Sequence, residues 1–247
     1  MLQQLLFVPI LMELVLLLTT ATPLVLLGRG WTRRRPRAAI ALWFSAFLLS
    51  GLATVLAVII SAKLAFESWL LLNSRPVGTS NWLAALGLSF LPWIFLALGG
   101  IALALVNIKL APHVEGARIT ADSLMHGLKV SDYFSGYPVA ILELPMLIAF
   151  AVSLQGRKTI VLSRGVLEKL MPAEIEAVKW HEVGHIRGKH GWLKRISAFS
   201  LLLMPFIRTA AVFHKEVERL CEIDANNFAV KRVSPADLKS AQRAFDF

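Results

Sequence analysis

Cysteine and charge are both scarce in this chain. Cys221 is the single cysteine among 247 residues, which excludes an intrachain disulfide and any dependence of the fold on an oxidising compartment. Charged residues make up only 17% of the sequence against 56% apolar, and the mean hydropathy is +0.64. Such usage excludes an ordinary soluble composition and predicts a membrane protein. The length allows one membrane domain and one small soluble domain, with the second carrying most of the charge. No internal repeat or low-complexity tract is present.

What is abundant is apolar sequence in long runs. Residues 5–27 carry Glu13 as their one charge, with Pro23 near the end, residues 38–62 hold no charge over 25 positions, and residues 82–108 hold none over 27. About 20 apolar residues suffice to cross the hydrocarbon core, so three spans are predicted in residues 1–110. The first lacks a basic leader and a cleavage site, and is expected to be a retained helix. The net charge of +10 raises the question of nucleic acid. Yet Arg29, Arg33, Arg34, Arg35 and Arg37 crowd between the first two spans, where a topological signal explains them better, and no nucleic-acid partner is expected. That signal puts this loop and the region after Lys109 in the cytoplasm, the latter with 12 Lys or Arg between Lys109 and Arg195, on the plasma or inner membrane. Glu13 is expected to find a partner inside the helix bundle.

Residues 111–247 are expected to form the soluble domain. Composition turns polar over 111–138 and marks a linker; His113 and His126 read as ordinary surface residues. Residues 149–154 and 159–163, around Gln155-Gly156-Arg157-Lys158, predict a β-hairpin. A short helix follows at 165–170. Pro172, with Glu174 and Glu176 behind it, then launches a longer helix running to about Lys189, with Gly191 as its stop. Residues 196–213 are apolar but carry Pro205 and Arg208, and Arg near a bilayer centre costs at least ~2.5 kcal/mol. A buried or half-embedded helix is expected there.

The launched helix carries His181-Glu182-Val183-Gly184-His185. Positions i and i+4 share a helix face, so both imidazoles can reach one Zn²⁺ while Glu182 lies beside them as a general base. A catalytic zinc needs three protein ligands and one open position. His190, His214, Glu216, Glu218, Glu222 and Asp224 are the candidates for the third, on or near a helical run over 215–230. Glu222 is the choice adopted; Glu218, one turn earlier on the same face, is a rival that periodicity does not exclude. Glu216, Glu218 and Asp224 otherwise read as a solvated face, and Cys221 as small packing.

The zinc motif, with His190 five residues on and Glu222-Ile223-Asp224-Ala225-Asn226-Asn227-Phe228-Ala229-Val230 downstream, resembles the membrane-embedded metalloproteases of the HtpX and CAAX-prenyl-protease class. It is similar also to the antirepressor sensor proteases of the BlaR and MecR kind. The resemblance covers residues 138 to about 230, including the segments Ala149-Phe150-Ala151 and 160–167 that match the strand and turn before the zinc helix. It implies a mainly α membrane protein with a small α+β metalloprotease domain, zinc held by His181, His185 and Glu222, and Glu182 as the base. It also implies an aspartate that orients a ligand histidine; that position is Asn226 here, whose carbonyl can accept an imidazole N–H without adding charge. Because the chain stops at Phe247, no extracellular sensor of the BlaR kind is expected.

The expected activity is hydrolysis of protein or peptide substrates near the cytoplasmic face of the bilayer, with a strand at 149–154 pairing with an extended peptide. His190, His214 and Tyr133 are the conceivable oxyanion partners. A non-catalytic regulator or scaffold keeping a structural metal is the alternative, and a transporter component a more distant one.

Overall fold

The computed structural model describes residues 2–73, 128–154, 156–203 and 208–245. Within them the chain is mostly helical with one small sheet. The first two long apolar runs become helices α1 (Leu2–Leu26) and α3 (Pro36–Asn73), joined through the short α2 (Gly30–Arg34). At 1.5 Å per residue, the 20 residues Phe7–Leu26 and the 29 residues Pro36–Leu64 are long and apolar enough to cross a membrane. Their outward faces are apolar and uncovered, Leu16, Leu17, Leu24 and Leu48 each being more than 60% exposed. The expected third span at 82–108 and residues 111–127 of the expected linker lie outside the described residues, among which two such helices are seen; the end of that linker, expected to run to 138, is strand over 129–134 and from 137. The second is longer than its uncharged run: the helix continues past Lys63 and Glu67, which pair at 3.7 Å across one turn. Glu13 is exposed on α1; no described residue pairs with it, and the third span expected in the same bundle lies outside the described residues.

The predicted hairpin is half of a larger sheet. Strands β1 (Lys129–Phe134), β2 (Tyr137–Leu142), β3 (Ala149–Leu154) and β4 (Arg157–Ser163) lie in the order β1-β2-β4-β3. β1 and β2 are antiparallel through Ser135 and Gly136, both at positive φ (50° and 82°), as a two-residue type I′ turn requires. β3 and β4 form the second hairpin, paired from Ala149↔Leu162 to Leu154↔Arg157; its turn is tighter than expected, so Arg157 and Lys158 belong to β4. β2 runs parallel to β4, and Pro138 is tolerated in β2 because its register position faces only β1, before the β4 pairing begins at Val139. Among the described residues β3 has a free edge.

Helices α4 (Arg164–Lys169), α5 (Pro172–Arg187), α6 (His190–Leu203), α7 (Arg208–Ala229) and α8 (Pro235–Phe245) follow. α5 starts where the sequence predicts: Pro172 opens it, and the Glu174 carboxylate accepts the Met171 backbone N–H at 2.8 Å and the Ser240 hydroxyl of α8. Those two bonds, Ser240 first, hold the Glu174 carboxyl below its ordinary range. One face of α5 joins Val139, Ile160, Leu162, Val166 and Leu170 in a core closed by Ala241 of α8. Of the 196–213 stretch, residues 196–203 belong to α6 and residues 208–213 to α7, and residues 204–207 lie outside the described residues. Phe213, Val217, Leu220 and Cys221 form a stripe along α7 that packs on Leu26, Ala39, Ile40 and Trp43 at the near ends of α1 and α3. Burying a side chain such as Phe213 stabilises by roughly 1.5–3 kcal/mol. The apolar stretch is thus used as packing that fixes α7 against the two long helices.

Candidate metal centre

Three elements meet at the site. On α5, His181 and His185 face the same way at i and i+4, as the spacing requires. The opposite side of the site is α7, brought close because residue 184 is glycine: a Cβ there would lie 2.9 Å from the Ala225 Cα. That crossing sets Glu222 over the two imidazoles. α5 ends at Arg187 rather than at Lys189, and Gly191 sits inside α6. The chain reverses through Lys189, held at φ 54°, which tucks the His190 ring beneath His185.

The donor atoms are close. The Nε2 atoms of His181 and His185 are 3.0 Å apart, and the Glu222 Oε2 lies 3.3 and 3.4 Å from them. Ligands at 2.0–2.2 Å around a tetrahedral zinc are separated by about 3.3 Å, so the spacing and chemistry of this donor set fit one small divalent cation. No other group of three potential ligands converges among the described residues. Glu218, the rival, instead lies 3.5 Å from His214 on the same helix.

Electrostatics divide the four groups. Burial works against charge on Glu222, but hydrogen bonds from His181, His185 and Lys194, with the charge of His185, hold its carboxyl below the ordinary range. Burial pushes Glu182 the other way, up to about 7, with Glu222 adding repulsion. Burial also lowers His185, whereas for His181 it is outweighed by Glu222 and Glu182, leaving that ring more basic than usual. Cys221, beside the site on α7, is fully buried and its thiol is pushed up to about 12, chiefly by burial. It is packing, not a ligand.

Several groups that matter are not apparent in the sequence. Lys194 of α6 donates to Glu222 Oε1 at 2.7 Å. Asp224, expected to be solvated, is buried and accepts from His190 Nε2 at 3.1 Å and from Arg37 Nε at 3.0 and 3.1 Å; His190 and Arg37 hold its carboxyl below the ordinary range against the effect of burial. Glu216 is buried too, against Arg219. The Nδ1 atoms of His190 and His185 are 2.9 Å apart. With neutral rings the order is forced: Asp224 fixes the proton on His190 Nε2, His190 Nδ1 then accepts from His185 Nδ1, and the lone pair of His185 Nε2 faces the cation position. Asp224→Asn is therefore expected to lower zinc affinity 10- to 100-fold in a competition titration with a chromophoric chelator. Unchanged affinity would show that the chain of bonds does not orient His185.

Asn226 lies beside His181, where its side chain helps keep that ring more basic than usual. Its Oδ1 accepts from Gln242 Nε2 of α8 at 2.7 Å, and the buried His181 Nδ1 makes no well-formed hydrogen bond. The expected oxyanion partners are misplaced: His190 is buried behind His185, His214 bonds Ser197, and Tyr133 is 65% exposed on β1. None of them lines the cleft over the site, a cavity of about 650 Å³ bounded by Ala149, Phe150 and Ala151 of β3 on one side and by His181, Glu182 and Lys194 on the other.

Residues 122–204 match the family model of Peptidase family M48. The match takes in His181, Glu182 and His185 and ends before Glu222; it supports a metallopeptidase, and hence a hydrolase. No curated protein matches the chain.

Proposed function

We propose that the chain is a membrane-bound zinc endopeptidase in which His181, His185 and Glu222 hold the metal and Glu182 moves the proton. The observation that carries this reading is three donor atoms 3.0–3.4 Å apart at the floor of an open cleft, with a buried carboxyl beside them. A zinc ion held there supplies Lewis-acid chemistry, acidifying water and polarising a carbonyl. Glu182, poised near neutrality, takes a proton from the attacking water and returns it to the leaving amine. Lys194 fixes the Glu222 carboxylate through its second oxygen, so that Oε2 stays turned to the histidines. The free edge of β3, whose residues 149–151 line the cleft, offers main-chain groups to an extended peptide and tolerates many side chains.

Substrates are then membrane proteins, unfolded segments or a regulatory protein reached from the cytoplasmic face of a plasma or inner membrane. The uncovered apolar faces of α1 and α3 and the arginines between them support that placement. Chelation is the direct test. Cleavage of an unfolded protein by the detergent-purified chain is expected to stop with 1,10-phenanthroline and to return with zinc; cleavage indifferent to the chelator would end the reading.

One observation favours a second reading, a regulator that holds metal without turnover. The uncharged Asn226 beside His181 is also engaged by Gln242, and the His181 Nδ1 makes no well-formed hydrogen bond. Against it, only three ligands converge among the described residues, whereas a structural zinc closes its fourth position with protein. Stoichiometric zinc with no cleavage under any condition would favour the regulator.

A further inference from the structure

Six cationic side chains converge on a cavity of about 620 Å³ away from the cleft: Arg34, Arg35 and Arg37 at the α2–α3 junction, Arg187 at the end of α5, and Lys231 and Arg232 after α7. Asp224 is the single carboxylate in its lining, and Arg37 spans both of its oxygens. The other five have no carboxylate within ion-pair distance among the described residues. Arg232 and Arg187 lie over the Phe228 ring instead, which positions them without neutralising them.

A topological signal accounts for arginines beside a membrane helix. It does not account for three more cations brought from α5 and from the segment after α7 to the same hollow, where their mutual repulsion opposes folding unless an anion offsets it. The place is informative as well. Pro36, the first residue of the 29-residue apolar span, lines the cavity, so the hollow lies at the height where that helix leaves the hydrocarbon, among lipid headgroups. We propose that this cavity binds the phosphate headgroup of an anionic membrane lipid. The inference rests on reading α1 and α3 as membrane helices and does not depend on proteolysis. Asp224 joins this cavity to the metal centre, since its second partner is His190.

The test is lipid retention by the full chain in detergent, followed by native mass spectrometry during titration with phosphatidylglycerol, phosphatidylcholine or inorganic phosphate. The double variant Arg34→Gln/Lys231→Gln removes two cations that pair with nothing described and leaves Arg37 and Asp224 in place. Phosphatidylglycerol is expected to bind the wild type about thirty-fold more tightly than the double variant, with phosphatidylcholine weak and equal in both. Equal retention of the two lipids, or a double variant that holds phosphatidylglycerol as the wild type does, overturns the proposal. Inorganic phosphate binding more tightly than the lipid, and lost in the double variant, would assign the cavity to a free anion and overturn the lipid source. A chain that is monodisperse without detergent removes the premise. Loss of lipid preference leaves the peptidase reading standing, and a chain inactive as a peptidase still retains lipid, so the two fail separately.

Discussion

Glu182→Gln is expected to reduce peptide hydrolysis by about 10²–10⁴-fold and, in zinc-stripped protein at pH 8, to raise folding stability by up to about 3 kcal/mol. Both effects come from one carboxyl. In the fold it titrates at about 7 against an ordinary 4.5, because burial disfavours its charge. Between those two values the folded state keeps a proton that the unfolded state has released, so stability falls as pH rises, by about 1.4 kcal/mol per unit. The loss is complete above the folded value and absent below the unfolded one. Glutamine has nearly the same shape and no such titration. The variant should therefore match the wild type at pH 4 and surpass it at pH 8, read as thermal midpoints in detergent after chelation. Full proteolysis by the variant would sink the assignment of Glu182 as base. A wild type as stable as the variant at pH 8 would show that the carboxyl is not held neutral by burial.

Zinc content separates the two carboxylates that sequence periodicity leaves in competition. Glu222→Gln should drop bound zinc from one per chain to well below stoichiometric, with an affinity loss exceeding the 10- to 100-fold expected for a partner outside the ligand set. Glu218→Gln should leave zinc unchanged. The reason is geometric: Glu222 Oε2 completes a triangle with the two Nε2 atoms, while Glu218 points at His214 one turn away. Removing Glu222 also leaves Lys194 without its partner, so the companion variant Lys194→Gln distinguishes loss of a ligand from loss of an ion pair; it should retain zinc at close to one per chain. Elemental analysis of the dialysed proteins decides between these outcomes. Equal zinc in Glu222→Gln and wild type would require a different third ligand.

Local pattern carried far where one element and its immediate neighbours were concerned. The i, i+4 histidines lie on one helix face, Pro172 opens that helix, Gly156 turns the β3–β4 hairpin, and the first two apolar runs are long helices. Each of these depends on backbone preference or on the period of apolar residues within a few turns. Reading failed where a segment's own composition was mild: β1 is mostly exposed and polar, and its turn, Ser135-Gly136, stands out only once both residues are seen at positive φ. It failed again for Asp224, whose periodicity marks a solvated face, because the partners that bury it, Arg37 and His190, lie on other helices.

By itself, then, the sequence marks which helix offers the imidazoles and the neighbouring carboxyl, and which segments are long and apolar enough to cross a membrane. Only the tertiary structure decided that Glu222 and not Glu218 closes the triangle, that Lys194 holds it, and that Arg37 reaches Asp224 across 187 residues of chain. The physical reason is the crossing of α5 and α7 at Gly184 and Ala225. Periodicity tells which face of a helix is buried, but the rotation and height at which two helices meet are set by side chains packed between segments far apart in sequence.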